Sequence, residues 1–260
     1  MINLLPMPDK NKASSRAPRR PAGGKAKVMT GPYPALVQAA ALAPFLLLYE
    51  IAVFFAARSG AANPLDALLH HGLARLGLVP FYLPGLLILL ILLLLHLFRG
   101  DPWKVSPADV WKLWGESLLW LVPLVVMYLL FTMNWQELSS RLSLGDVHVG
   151  RLYSTVVYHI GVGLFEEFLF RLILLSALLV IAQRLFSLPL GAAQIVAICL
   201  SAAIFSAAHH FVGAAPYTPV IFLFRTAAGI YLGTIFVLRG FATAVLVHAG
   251  FNVFLAVLGV

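Results

Sequence analysis

Two adjacent carboxylates and an arginine interrupt an apolar run that begins at Gly161: Glu166, Glu167 and Arg171 in GVGLFEEFLFRLILLSALLV. Two later apolar runs carry a second and a third polar group, His209 in AIFSAAHHFVG and His248 with Asn252 in VLVHAGFNVF. An ionisable side chain at the centre of a membrane helix costs about 2.5–3.5 kcal/mol on insertion scales, so each needs a partner or a function. A carboxylate can take a proton from water, an imidazole can hold or relay one, and an amide can donate to an oxyanion. Together these residue types suit the activation of water against a carbonyl.

Helical spacing sorts them. Glu167 and Arg171 are four apart, on one face and in the favourable order for pairing. Glu166 is rotated about 100° from that pair and has no local cation. Phe205 and His209 are one turn apart, as are His248 and Asn252. A buried ion-pair network with no chemistry is the other account of the two glutamates. His210 points elsewhere on its helix than His209, and His159, seven before Glu166, shares its face. Arg225, in FLFRTAAG, needs a carboxylate, with Glu167 the candidate, and Gly229 and Gly233 suit a close approach of two helices.

These residues resemble the CAAX proteases and bacteriocin-processing enzymes, the type II CAAX prenyl endopeptidase group of intramembrane glutamate proteases. The family motif EExxxR is matched by Glu166, Glu167 and Arg171, FxxxH by Phe205 and His209, and HxxxN by His248 and Asn252. Gly229 and Gly233 fit the glycine-spaced helix before the third motif, while FAT at Phe241 departs from a TGS-like turn. The resemblance runs from about Tyr153 to the C-terminus. It implies that Glu166 is the general base, that His209 helps to hold the water, and that His248 and Asn252 polarise the carbonyl. Glu167 and Arg171 would be supporting residues. Substrates of the family include prenylated peptides, bacteriocin leaders and membrane proteins, and nothing in the sequence chooses among them.

Other chemistry is open to the same residues. Glu166, His209 and His248 could form a one-carboxylate, two-imidazole zinc set, although the helical HExxH pattern is absent. The resemblance favours catalysis with no metal and no cofactor. A non-proteolytic immunity, scaffold or accessory protein would have no chemical need for all four polar residues. A proton-coupled transporter would be expected to show internal duplication, and none is visible.

The elements that must position these groups are membrane helices. Of 260 residues, 61% are hydrophobic and 11% charged, and the mean hydropathy is +0.94, too apolar for an ordinary water-soluble domain. Runs long enough to cross a hydrocarbon core of about 30 Å are expected at 35–57, 79–97, 108–133, 152–182, 190–211, 218–238 and 241–260. Stretches such as LLILLILLLLHLF lack the period of two that a β-barrel needs. The expectation is therefore an all-α, polytopic integral membrane bundle of about seven helices, with the catalytic core in the last four.

Three parts are expected: a disordered basic tail over 1–32, N-terminal transmembrane helices and loops over 33–150, and a CAAX-protease-like core over 151–260. The tail holds Lys10, Lys12, Arg16, Arg19, Arg20, Lys25 and Lys27 among Pro, Ser, Ala and Gly. Such a tail is the ordinary positive-inside signal, which puts the N-terminus in the cytoplasm; the expected location is the plasma (bacterial inner) membrane. It supplies most of the net charge of +8, so the charge implies no nucleic-acid partner. The expected partners are membrane lipids and a peptide or membrane-protein substrate. Arg99, Lys104, Lys112, Arg184 and Arg239 then fall on inner loops, and Arg58, Arg75, Arg141 and Arg151 on outer ones. Simple alternation places the opening of the site on the outer face, whereas the resemblance implies a cytosolic one.

Ser106, Pro107 and Asp109 should start a helix, with Trp111 and Trp114 as interfacial anchors. Glu50 and His96 lie near span ends, where snorkelling suffices. Cys199 is the single cysteine, so neither a disulfide framework nor a cysteine-based metal site is possible.

Overall fold

The computed structural model describes residues 31–56, 83–132, 149–212 and 218–257. The basic tail before residue 31 and the expected loop cations Arg58, Arg75 and Arg141 lie outside the described residues. The helices are α1 (Ala35–Ala56), α2 (Leu83–Arg99), α3 (Pro107–Thr132), α4 (Val149–Glu167), α5 (Ser176–Arg184), α6 (Leu190–Val212), α7 (Pro219–Arg239) and α8 (Phe241–Val257). A π-helical segment, Phe168–Leu175, joins α4 to α5. No strand occurs among the described residues.

The protein is an all-α membrane bundle. The segments Pro107–Phe131, Leu190–His210 and Pro219–Arg239 are long and apolar enough to cross a bilayer, while 35–51, 85–99 and 241–257 form shorter apolar helices. Leu86, Leu90, Leu93 and Leu97 make an outward stripe along α2, and Leu118, Leu119 and Val122 do the same on α3. Exposed leucines at helical spacing are suited to lipid tails. Helix α8 is central: Phe241, Val245, His248, Ala249 and Phe251 are all buried, and it packs on α4, α3 and α7.

Helix ends follow local chemistry. Pro107 begins α3 with Asp109 in the first turn, where a negative charge favours the dipole. Thr218 caps α7, its Oγ1 accepting from the Ile221 N–H at 3.4 Å, with Pro219 as the first helical residue. Inside the helices, Pro44 of α1 and Pro123 of α3 each remove a backbone donor. In both cases the carbonyl three residues earlier accepts from an aromatic side chain of another helix. Trp114 Nε1 donates to Ala41 O at 3.1 Å, and Tyr231 Oη to Trp120 O at 2.6 Å.

Several expectations are corrected here. Of the two tryptophans expected in the belt, Trp111 faces outward but Trp114 turns inward to hold α1. His96 does not snorkel: it is buried at 1% exposure, edge-on to Trp103 at 4.5 Å. The span expected as one regular helix over 152–182 is widened from Phe168 to Leu175. Two carbonyls of the widened turn accept hydroxyls, Phe170 O from Ser201 Oγ at 2.7 Å and Arg171 O from Ser176 Oγ at 3.3 Å. That is how a departure from the regular ladder stays satisfied in lipid.

One end of the bundle is tied by Glu116. Its carboxylate accepts from Tyr33 Oη at 2.8 Å and Trp120 Nε1 at 3.0 Å, and pairs with Arg239. Burial and the hydrogen bond to this carboxylate push the Tyr33 hydroxyl up to about 12. Gln38 adds a link, donating to Tyr33 O and accepting from the Ala242 N–H. The starts of α1, α3 and α8 and the end of α7 therefore share this end. Since α6 and α7 are antiparallel neighbours, the C-terminus of α6, with His209, lies at the other.

Candidate active site

The site forms where α4 meets the π segment. Glu166 and Glu167 end α4, and Arg171 lies one turn on, inside the widened turn. All three are almost wholly buried, at 4%, 0% and 1% exposure, so each charge must be matched locally. Arg171 Nη1 lies 2.9 Å from Glu167 Oε1, off line for a hydrogen bond and so an ion pair. Its Nη2 donates to the Gly229 carbonyl at 3.4 Å, and its guanidinium carbon stands 4.6 Å from the Phe205 ring centroid. One side chain thus holds α6 and α7 against the π turn.

Glu166, without a cation on its own helix, meets two imidazoles from other helices. His209 Nε2 of α6 is 3.3 Å from Oε1, and His248 Nε2 of α8 is 3.4 Å from Oε2. The opposite ring nitrogens are anchored. His209 Nδ1 is 2.9 Å from Phe205 O, and His248 Nδ1 is 2.6 Å from Glu167 Oε1. A carbonyl and a carboxylate accept only, so each Nδ1 carries a proton. The two Nε2 atoms then meet the oxygens of the same carboxylate, and at 3.3 and 3.4 Å each contact is a direct one that a proton on Nε2 or on Glu166 makes favourable.

Phe205 sets the rings' positions. Its ring lies edge-on to His209 at 4.6 Å, to His248 at 6.0 Å and to Phe170 at 5.1 Å. The Phe of FxxxH is therefore a wall shared by the polar residues. The His209 side chain is 24% exposed, whereas those of Glu166 and His248 are 6% and 7% exposed. Access is from the His209 end, away from Glu116 and Arg239.

Asn252 is one turn beyond His248 on α8 and half-buried. Among the described residues it has no hydrogen bond to Glu166, His209 or His248. His210 leaves the cluster to stack on Phe222 at 5.8 Å. His159 packs edge-on to Tyr158 at 5.3 Å. Arg225 is not paired with Glu167, the partner expected for it: Glu167 Oε1 is taken by Arg171 and His248, and Arg225 Nη1 is buried without a hydrogen-bond partner among the described residues.

Sequence spacing did not single out Gly163. A Cβ there would stand 2.8 Å from both Cα and N of Ala249, the residue after His248. This glycine lets α8 press its backbone onto α4 three residues before Glu166. Its position in the GVG run was the available signal. Gly229 does a similar service, since a Cβ would meet that of Ala202 at 2.9 Å, and Gly233 lies close to Ile198 and Leu175.

The donor types of Glu166, His209 and His248 suit a divalent cation, including the anchored Nδ1 atoms behind each imidazole. Among the described residues, however, no group of three or more His, Cys, Asp or Glu side chains has a geometry that could hold one.

Residues 148–254 match the family described as type II CAAX prenyl endopeptidase, Rce1-like. The matched segment contains Glu166, Glu167, Arg171, His209, His248 and Asn252. No curated protein and no solved structure matches the chain.

Proposed function

We propose that the protein is an intramembrane endopeptidase that hydrolyses a peptide bond in or beside the bilayer. The observation that carries this reading is the convergence of His209 Nε2 and His248 Nε2 on the two oxygens of Glu166. The match of residues 148–254 to an endopeptidase family supports it.

In the proposed reaction, Glu166 takes a proton from a water that His209 helps to hold. The water oxygen bonds to the peptide carbonyl carbon, and the carbonyl oxygen becomes an oxyanion. Asn252, and His248 when Nε2 carries a proton, donate to that oxyanion. The C–N bond then breaks as Glu166 returns its proton to the leaving amine, giving a carboxylic acid and an amine, which become a carboxylate and an ammonium once the acid's proton passes to the amine. Glu167 and Arg171 orient His248 rather than touch the substrate. No step requires a metal. Prenylated peptides, bacteriocin leaders and membrane proteins are the candidate substrate classes. A bacterial plasma membrane with a cytoplasmic N-terminus is the proposed setting.

The test is incubation of the purified protein, and of Glu166→Ala, with a peptide library and mass spectrometric search for products. Cleavage by the native chain alone supports the proposal. A folded native chain with no cleavage favours an immunity, scaffold or accessory protein of the same fold.

A further inference from the structure

Arg225 has a place in this site that the motif residues do not explain. The register of α6 against α7 locates it. Gly229 lies against Ala202, while one to two turns away Phe222 O accepts from Ser206 Oγ at 2.8 Å and the Phe222 ring stacks on His210. Arg225 falls between these levels, one turn before Gly229, whose carbonyl receives Arg171. It therefore stands one turn beyond Arg171's attachment, toward the open His209 end. Its charge interacts with those of Glu166 and His209.

No carboxylate among the described residues neutralises it at contact distance. Among the described acidic residues, Asp101, Asp109 and Glu116 belong to the opposite end of the bundle. Glu50 projects toward Gly85 of α2. Glu167 is held by Arg171 and His248, and Glu166 faces the two imidazoles. Arg225 Nη1 is nonetheless buried, with no hydrogen-bond partner among the described residues. A guanidinium in an apolar span is costly unless its fork of N–H groups is filled, and the fork matches a carboxylate bidentately.

We propose that Arg225 is a specificity-determining residue that binds a carboxylate of the substrate peptide while the scissile bond lies at Glu166. This rests on the endopeptidase reading and deepens it. The carboxylate can be a peptide's C-terminus or an Asp or Glu side chain near the cleaved bond.

The experiment uses the full chain in detergent and a short-peptide library in three forms: C-terminal acid, C-terminal amide, and amide with one internal Asp. Native protein should favour one carboxylate-bearing form over the plain amide by on the order of tenfold or more, the usual effect of a hydrogen bond to a charged group. Which form is favoured identifies the source. Arg225→Gln should lose that preference, through a raised KM on the favoured form. Equal handling of all three forms by native protein overturns the proposal. So does an Arg225→Gln variant that keeps the preference while losing kcat equally on every form, because that marks a countercharge to Glu166 instead.

Two controls keep the result decisive. If Arg225→Gln does not fold, Arg225→Lys, which keeps the charge and loses the fork, should reduce the preference; an unchanged preference overturns the proposal. Binding of labelled acid and amide libraries to Glu166→Gln, with and without Arg225→Gln, requires no turnover. Carboxylate-selective, Arg225-dependent binding without cleavage by the native chain would sink the endopeptidase reading and leave the carboxylate site standing.

Discussion

His248 connects the two adjacent glutamates across the bundle, with Nδ1 2.6 Å from Glu167 Oε1 and Nε2 3.4 Å from Glu166 Oε2. Neighbouring residues on a helix diverge by about 100°. One ring reaches both because α8 lies close against α4, entering the angle between the two side chains. The pair is thereby divided: Glu167 is fixed by Arg171 and the ring, and Glu166 is left to face His209 and the opening.

Glu166→Gln should abolish base chemistry while keeping the shape of the side chain. Peptide cleavage should fall by about 10²–10⁴-fold, the usual contribution of a positioned base. Thermal unfolding in detergent should change little. Product formation by mass spectrometry, alongside a melt, checks both; unchanged cleavage would remove Glu166 from its assigned role.

Arg171→Met leaves Glu167 buried with only His248 to oppose its charge. Breaking a buried pair from one side costs about 3–5 kcal/mol, so folded yield should drop sharply. Adding Glu167→Gln should restore yield, since the orphaned charge is gone. Turnover in that double variant should stay about 10–100-fold low, because His248 Nδ1 then meets a neutral amide oxygen, a weaker hold on the ring than the carboxylate. Gel filtration of the folded fraction and its specific activity separate the effects. Arg171→Met with normal yield and no turnover would contradict this division of labour.

Gly163→Ala should damage the site without touching a polar residue. The new methyl group meets the backbone of Ala249 at 2.8 Å, and backbone cannot rotate away. Separation of α8 from α4 should cost about 1–3 kcal/mol and move His248 relative to Glu166. A lowered melting temperature with reduced kcat is expected. Gly115→Ala, on α3 with nothing within 4 Å of the added Cβ, is the control that should do neither.

Strong chelators should leave cleavage unchanged, and elemental analysis should find zinc well below one equivalent per chain. Loss of activity on chelation, with recovery on adding zinc, would transfer the activation of water from Glu166 to a metal held by Glu166, His209 and His248.

The sequence determined what a single helix can decide. Apolar length marked out the membrane helices, and the i to i+4 spacing placed Arg171 on Glu167, a pairing that one turn allows in the widened helix as in a regular one. The order of EExxxR, FxxxH and HxxxN carried the family resemblance without any knowledge of packing. Tertiary structure decided which helix faces which residue. It joined His248 to Glu167, 81 positions away. It turned Trp114 inward, buried His96 and left Arg225 without the carboxylate expected for it. Those outcomes depend on the rotation and register of neighbouring helices, set by close approaches at Gly163 and Gly229 and by the widened turn after Glu167. No period along one strand of sequence records such contacts, because their partners belong to other helices.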